Sequence, residues 1–275
     1  MEKKKKKITL LAVQLGSVIG DVKQNVVKAR TLLEDCLSKR RADIVFLPEV
    51  WTCGWDCDSF PCCAENINDS LSINMLKELA MTYCVNIVGG SFIEQKPNGE
   101  LANTLPVINR NGELVCTYEK NHLYSYYGAN ESSYIKAGKN PVMINLDGVN
   151  VGLSICYDIR FPELYRAYRK AGADLIVNLA AWGANKRIPW DTMTMSRAIE
   201  NQTYMVALTQ TGVLKDGSKN LGHSMFIDYN GEVLNEIFEK EAGFYAEIDL
   251  DEMYKFREKC TILNDVKDSY EVILK

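Results

Sequence analysis

Residues 42–49 read ADIVFLPE, and residues 173–180 read ADLIVNLA. Each is a short apolar run opening on Ala-Asp, and each follows a stretch with helical periodicity. Runs of this kind are strands of a sheet covered on both faces, and such a sheet needs helices outside it. Upstream of the first run, residues 8–15 form an apolar, β-rich strand. Residues 22–40 then carry Val22, Val26, Val27, Ala29, Leu32, Leu33, Cys36 and Leu37 at helical spacing, with charged residues between. Strand, helix, and a second strand closed by Pro48 make a βαβ unit. The second run repeats this theme: strands at 142–146 and 149–156 flank Asp147-Gly148, and Phe161 to Ala171 is helical.

The rest of the chain fits the same grammar. Residues 71–84 predict a helix and 85–92 a strand ending in glycines. Residues 103–109 and 113–118 predict a hairpin around Arg110-Asn111-Gly112. A helix over 189–202 and a strand over 203–210 follow. A second hairpin, 223–228 with 232–238, turns at Asn230-Gly231. From Asp249 the chain is charged and partly helical. No Pro/Gly/Ser-rich linker divides it, so one domain is expected over 8–275, with a C-terminal tail from about 249. Pattern alone gives a layered α/β fold with mixed sheets and leaves the number of sheets open.

Composition narrows the function. The chain has 275 residues, 47% hydrophobic and 25% charged, which excludes collagen-like, coiled-coil and disordered classes. The net charge is −4 even though Lys3 to Lys7 lie together at one end, so the body is acidic and no nucleic-acid partner is expected. The lysine run and ITLLAVQLG resemble the start of a signal peptide. Gln14 interrupts the run, Asp21 and Lys23 follow, and no small-residue cleavage site appears, so residues 1–7 are expected to be an exposed basic tail. No apolar stretch is long enough for a membrane span. Nine cysteines, an odd count, then point to reduced thiols in the cytoplasm. Cys53, Cys57, Cys62 and Cys63 lack paired CxxC spacing and a nearby His, so no metal is expected. Cys36, Cys84, Cys116 and Cys260 read as small core hydrophobes.

Three points carry chemistry. Cys156 ends the strand VNVGLSI, where the chain turns into a helix. A thiol there meets the N–H groups of the turn, and a helix N-terminus lowers its pKa and favours an oxyanion. Such a nucleophile needs a base. The two histidines, His122 and His223, offer one; Glu49, closing ADIVFLP at the sheet's carboxyl edge, offers another. Lys120 follows a hairpin strand and is suited to hold an oxyanion. Read singly, Glu49 and Lys120 are ordinary surface charges and Cys156 an ordinary core thiol.

Together they are not ordinary. LPEVWTCGW (47–55), YEKNHLY (118–124) and LSICYDIRFPELYR (153–166) resemble the three signature regions of the nitrilase, or carbon–nitrogen hydrolase, superfamily, in order and spacing. RAIENQTYMV (197–206) and GHSMFIDYNGEVL (222–234) are also similar to it. The resemblance spans nearly the whole chain from Ile8. It implies a four-layer αββα sandwich with two mixed sheets, usually a homodimer, and a Glu49–Lys120–Cys156 triad. It implies that Glu131, seven residues before Gly138, positions substrate and lysine, and that the backbone N–H of Tyr157 joins Lys120 at the oxyanion. No cofactor is implied, and both histidines are left structural hydrogen-bonding roles. The pattern is most similar to the omega-amidase branch, which cleaves the terminal amide of small keto-dicarboxylic monoamides. N-carbamoyl amino-acid hydrolases and deaminated-glutathione amidases share the triad, and a catalytically inactive scaffold relative is the reading from another class. Arg160 is suited to grip a substrate carboxylate through two parallel bonds, or else to pair with an acid such as Glu163. Trp182, Tyr127 and Phe92 are candidate pocket walls.

Overall fold

The computed structural model describes residues 7–125, 129–267 and 269–275. The first sheet holds β1 (Lys7–Gln14), β2 (Ile44–Phe46), β3 (Asn86–Val88), β4 (Phe92–Gln95), β5 (Leu101–Ile108) and β6 (Leu114–Glu119). The second runs in the order β12 (Val233–Phe238), β11 (His223–Ile227), β10 (Tyr204–Thr209), β9 (Leu175–Ala180), β8 (Val149–Ile155), β7 (Met143–Leu146). A last strand, β13 (Ala242–Asp249), returns to the first sheet and pairs antiparallel with β1, from Lys7 opposite Asp249 to Gln14 opposite Ala242.

Both sheets are mixed, and the parallel pairs are the predicted crossover units. α1 (Val22–Lys39) joins β1 to β2, and the short α2 (Phe60–Cys63) followed by α3 (Leu71–Tyr83) joins β2 to β3. α4 (Pro162–Lys170) joins β8 to β9, and α5 (Arg187–Asn201) joins β9 to β10. The alternation in β1 sorts its side chains into two cores. Leu10 and Ala12 face the second sheet, while Leu11 and Val13 meet Val26, Ala29 and Leu33 of α1. Ile44 and Phe46 of β2 likewise face inward and Val45 outward. The result is the αββα sandwich, two sheets face to face with helices outside. Gln14, fully buried, crosses between the sheets: its amide donates to the carbonyls of Gly222 and Lys240 and accepts from Ser224 Oγ.

Four expectations need correction. The strand expected over 85–92 is two strands, β3 and β4, interrupted at Gly89-Gly90. Gly90 has φ 69°, and a Cβ there would sit 2.2 Å from the Pro48 carbonyl oxygen. The glycines let this segment close on the backbone beside Glu49: Ser91 N–H donates to Pro48 O, Ser91 Oγ accepts from Val50 N–H, and Trp51 Nε1 donates to Gly89 O. Secondly, β13 falls in a stretch with no predicted element. It is an edge strand in which Phe244, Ala246 and Ile248 are buried in alternation, and its partner lies at the other end of the chain. The stretch from Asp249, expected to be charged and partly helical, opens with α6 (Leu250–Lys259), capped by the Asp249 carboxylate. Thirdly, Lys7 belongs to β1 rather than to a tail, and Lys3 to Lys6 lie outside the described residues. Finally, Cys84 is exposed, because it ends α3 in the left-handed region with φ 52°.

Candidate active site

Four of the singled-out side chains meet where strands of both sheets end. Glu49 lies just past β2, Lys120 just past β6, Glu131 opens a 3₁₀ turn (Glu131–Ser133), and Cys156 opens another (Cys156–Arg160) directly after β8. Glu49, Lys120 and Glu131 are fully buried and Cys156 is 7% exposed. Lys120 Nζ donates to Glu49 Oε1 at 2.8 Å and to both Glu131 oxygens at 3.0 Å. Its ammonium also lies 4.9 Å from the centre of the Trp55 ring. Asn103 Nδ2 donates to Glu49 Oε1, and the Ala181 N–H, just past β9, holds Glu49 Oε2 at 2.8 Å. Gln210 holds the Glu49 backbone carbonyl. Every oxygen of Glu49 is therefore addressed by a different segment, which fixes its rotamer and leaves it facing the thiol.

The nucleophile is held under backbone strain. Cys156 has φ 45°, and Val50, the residue after Glu49, has φ 40°. Non-glycine residues seldom enter this region and stay only where surroundings over-determine them. The surroundings here are explicit. Asn178 Nδ2 donates to the Cys156 carbonyl, and Arg197 donates twice to the Ile159 carbonyl from α5. This is what the RAIENQ motif does: Arg197 braces the turn that follows Cys156. The GHS motif sits deeper. Ser224 reaches Gln14, and the His223 carbonyl accepts from Trp190 Nε1.

Asp158 was not singled out in the sequence, yet it joins the lysine and cysteine segments. It is fully buried and accepts from Tyr118 Oη (2.6 Å), the Ile155 N–H (2.9 Å), the His122 N–H (3.0 Å) and His122 Nδ1 (2.7 Å). Tyr118 and His122 flank Lys120; Ile155 precedes Cys156. One carboxylate thus sets the distance between the two segments. Its signal in the sequence is an acidic residue two positions after the strand-ending cysteine. His122, bonded to Asp158 and stacked on Phe161 at 3.7 Å, and His223, bonded to Asp191 and Glu236, both act through structural hydrogen bonds.

The electrostatics differ from one expectation. The Cys156 thiol is pushed well above its ordinary value, first by burial and then by the charge of Glu49, and Lys120 offsets only part of this. The predicted helix N-terminus does not reach it, because the α-helix begins only at Pro162 and a 3₁₀ turn intervenes. Burial pulls Lys120 down, but the carboxylates of Glu131 and Glu49 outweigh it and hold the ammonium charged. Burial, and then Glu49, raise Glu131, although Lys120 opposes them. The resting state is thus a protonated thiol beside a lysine clasped by two carboxyl groups.

Above Cys156 opens a cleft of about 1030 Å³. Tyr157, Arg160 and Trp182 line it, as do Trp55 and Tyr124, which sequence reasoning did not assign. The Arg160 guanidinium lies over the Trp182 ring at 5.3 Å and the Tyr157 ring at 5.8 Å. Phe92 is no wall: it is buried with Leu76 and Trp51 in the core under α3. Tyr127 lies outside the described residues. Among the described residues no group of three or more His, Cys, Asp or Glu is placed to hold a metal ion, and no helix is long and apolar enough to cross a membrane. Cys53 and Cys63 pack with Phe60, Ile93 and Ile135 beneath the loop after Glu49, while Cys62 is exposed.

The sequence model of the carbon-nitrogen hydrolase family matches residues 10–258. The chain belongs to this family and is a hydrolase of carbon–nitrogen bonds other than peptide bonds. Among its relatives is the 2-oxoglutaramate amidase of Bacillus subtilis, 34% identical over 96% of this chain and 100% of that one. Another is the deaminated glutathione amidase of Dictyostelium discoideum, 35% identical over 73% of each. In three dimensions the chain is similar to Saccharomyces cerevisiae Nit3, described as a member of branch 10 of the nitrilase superfamily. The TM-score is 0.85 and the identity 29%, covering 93% of this chain and 94% of that one.

Proposed function

We propose that the protein hydrolyses the terminal amide of a small, carboxylate-bearing substrate through a thioester on Cys156, with release of ammonia. The observation that carries this is the buried Lys120 ammonium, shared between Glu49 and Glu131 beside Cys156 at the floor of a cationic cleft.

Glu49 removes the thiol proton as Cys156 Sγ attacks the amide carbon. Burial favours the protonated thiol, so Glu49 must take this proton for Sγ to act as a nucleophile. Lys120 and the Tyr157 N–H hold the oxyanion. The C–N bond breaks, and Glu49 returns its proton to the departing nitrogen, which leaves as ammonia. A water then gives a proton to Glu49 and attacks the thioester; the C–S bond breaks, Glu49 returns that proton to Cys156 Sγ, and the acid departs. Glu131 keeps Lys120 aimed throughout, and no cofactor takes part.

The cleft supports an anionic substrate. Arg160, Lys186 and Lys219 line it against one carboxylate, Asp216. The relative that acts on 2-oxoglutaramate fits this, with Arg160 and Trp182 flanking the substrate beside the nucleophile. Deaminated glutathione is the second reading, favoured by a cleft larger than a five-carbon acid fills. The nine free thiols support a reducing, cytoplasmic setting, and a homodimer follows from the family resemblance.

The test is ammonia release from 2-oxoglutaramate, succinamate, deaminated glutathione, glutamine, an N-carbamoyl amino acid and a simple nitrile. Wild type and Cys156→Ala are run side by side. Release from the carboxylate-bearing monoamides, lost in the variant, is expected. Ammonia that persists in Cys156→Ala would refute the mechanism; turnover of the N-carbamoyl compound alone would refute the substrate class.

A further inference from the structure

We propose that Lys186, held against Tyr124, is the residue that selects a substrate with a carboxylate at the end distal to its amide. This rests on the amidase reading above and specifies its substrate recognition.

Of the three cations in the cleft lining, Lys219 is exposed, whereas Arg160 and Lys186 are half-buried. A partly desolvated charge attracts an anion more strongly than one screened by water and salt. Lys186 is also fixed in place. It closes the 3₁₀ turn Ala184–Lys186, and its carbonyl accepts from Trp182 Nε1 at 2.8 Å. Its Nζ donates to Tyr124 Oη at 2.6 Å and sits 4.8 Å from the centre of that ring. Fixing a long side chain in advance reduces the entropy lost when an anion binds.

Tyr124 ties this cation to the reacting centre. Its N–H donates to Glu131 Oε2 at 2.6 Å, and its ring meets Tyr157, the neighbour of Cys156, at 5.4 Å. The carboxylate that aims Lys120 therefore also sets the tyrosine that aims Lys186. Cys156, Arg160, Trp182, Lys186 and Tyr124 line one cleft, so a substrate whose amide carbon meets Cys156 can offer its carboxylate to the Lys186–Tyr124 pair. The ligand class this fits is an ω-monoamide of a short dicarboxylic acid. Lys219, out on the rim, adds only a general attraction.

The test compares two four-carbon amides that differ at the far end, succinamate and butyramide. Lys186→Gln is expected to lower the succinamate-to-butyramide ratio of kcat/KM about 10- to 100-fold, through KM more than kcat. Lys186→Arg should restore most of that ratio. In the Cys156→Ala background, calorimetry should show succinate binding weakened to the same extent by Lys186→Gln. Equal losses on both amides, or succinate binding unmoved by the substitution, would overturn the proposal. A wild-type enzyme that cleaves butyramide as well as succinamate would instead overturn the anionic-substrate reading beneath it.

Discussion

The floor and the rim of the cleft are built by opposite rules. At the floor, Glu49, Lys120 and Glu131 have no exposed surface, and their charges are answered by side chains and backbone from both sheets. At the rim, residues 183–189 and 213–219 are mostly exposed or half-buried. Lys186 there meets Tyr124, and Asp216 meets Ser218. The difference separates two tasks. Bond-breaking geometry is fixed by the same contacts that hold the sheets together, so it cannot vary without cost to the fold. Substrate choice is left to residues that can change while the core stays intact.

If that division holds, substitutions at the floor should cost most. Cys156→Ala is expected to lower amide hydrolysis by about 10⁴-fold or more while leaving the melting temperature close to wild type. Lys120→Met should fail on both counts. It leaves two buried carboxyl groups facing each other without their cation, a loss of about 3–5 kcal/mol in denaturant unfolding together with loss of turnover. A stable, folded Lys120→Met protein would break the claim that floor and fold share contacts.

Asp158→Asn probes the coupling between the two catalytic segments. An amide must turn a donor toward one of four donors, so kcat should fall by about 10²-fold with KM little changed. Unaltered kcat would show that Asp158 does not set the Lys120–Cys156 spacing. Gly90→Ala sharpens the point from the backbone side. The Cβ would press on Pro48 O in a left-handed conformation, and a loss of about 1–3 kcal/mol with reduced kcat is expected from unfolding and kinetics together. The rim supplies the smallest effect. Lys219→Gln should change kcat/KM for an anionic amide by only about two- to threefold, and less as salt is added.

The raised thiol gives a pH test. A group whose folded pKa exceeds its ordinary value keeps its proton to higher pH, so alkylation of Cys156 by iodoacetamide should keep accelerating above pH 9, the ordinary thiol value. The same shift makes folding stability fall as pH rises past that value, because the unfolded thiol ionises first. An alkylation rate that levels off near neutrality would show a resting thiolate and contradict the burial argument.

Much of this was legible before the fold was known. Unbroken apolar runs revealed strands buried on both faces, and Asn-Gly and Asp-Gly marked the hairpins. Glu49 and Cys156 ended strands, where α/β sites form. What escaped had physical reasons. β13 pairs with a strand more than two hundred residues away, and local pattern carries no trace of that. Gly89-Gly90 looked like a strand end because nothing local shows that Pro48 O would be there. Asp158 and Asn103 earn their places through partners distant in sequence. The thiol's raised pKa depends on burial in three dimensions, which overrode the sequence expectation of a nearby helix dipole.

The most direct measurement is intact-mass and peptide-level detection of the acyl-enzyme during turnover of succinamate by wild type and by Glu49→Gln. The account predicts an adduct of the substrate mass less ammonia on the peptide carrying Cys156. It predicts a slower-formed adduct in Glu49→Gln, and none in Cys156→Ala. An adduct on another cysteine, or continued hydrolysis without Cys156, would contradict it.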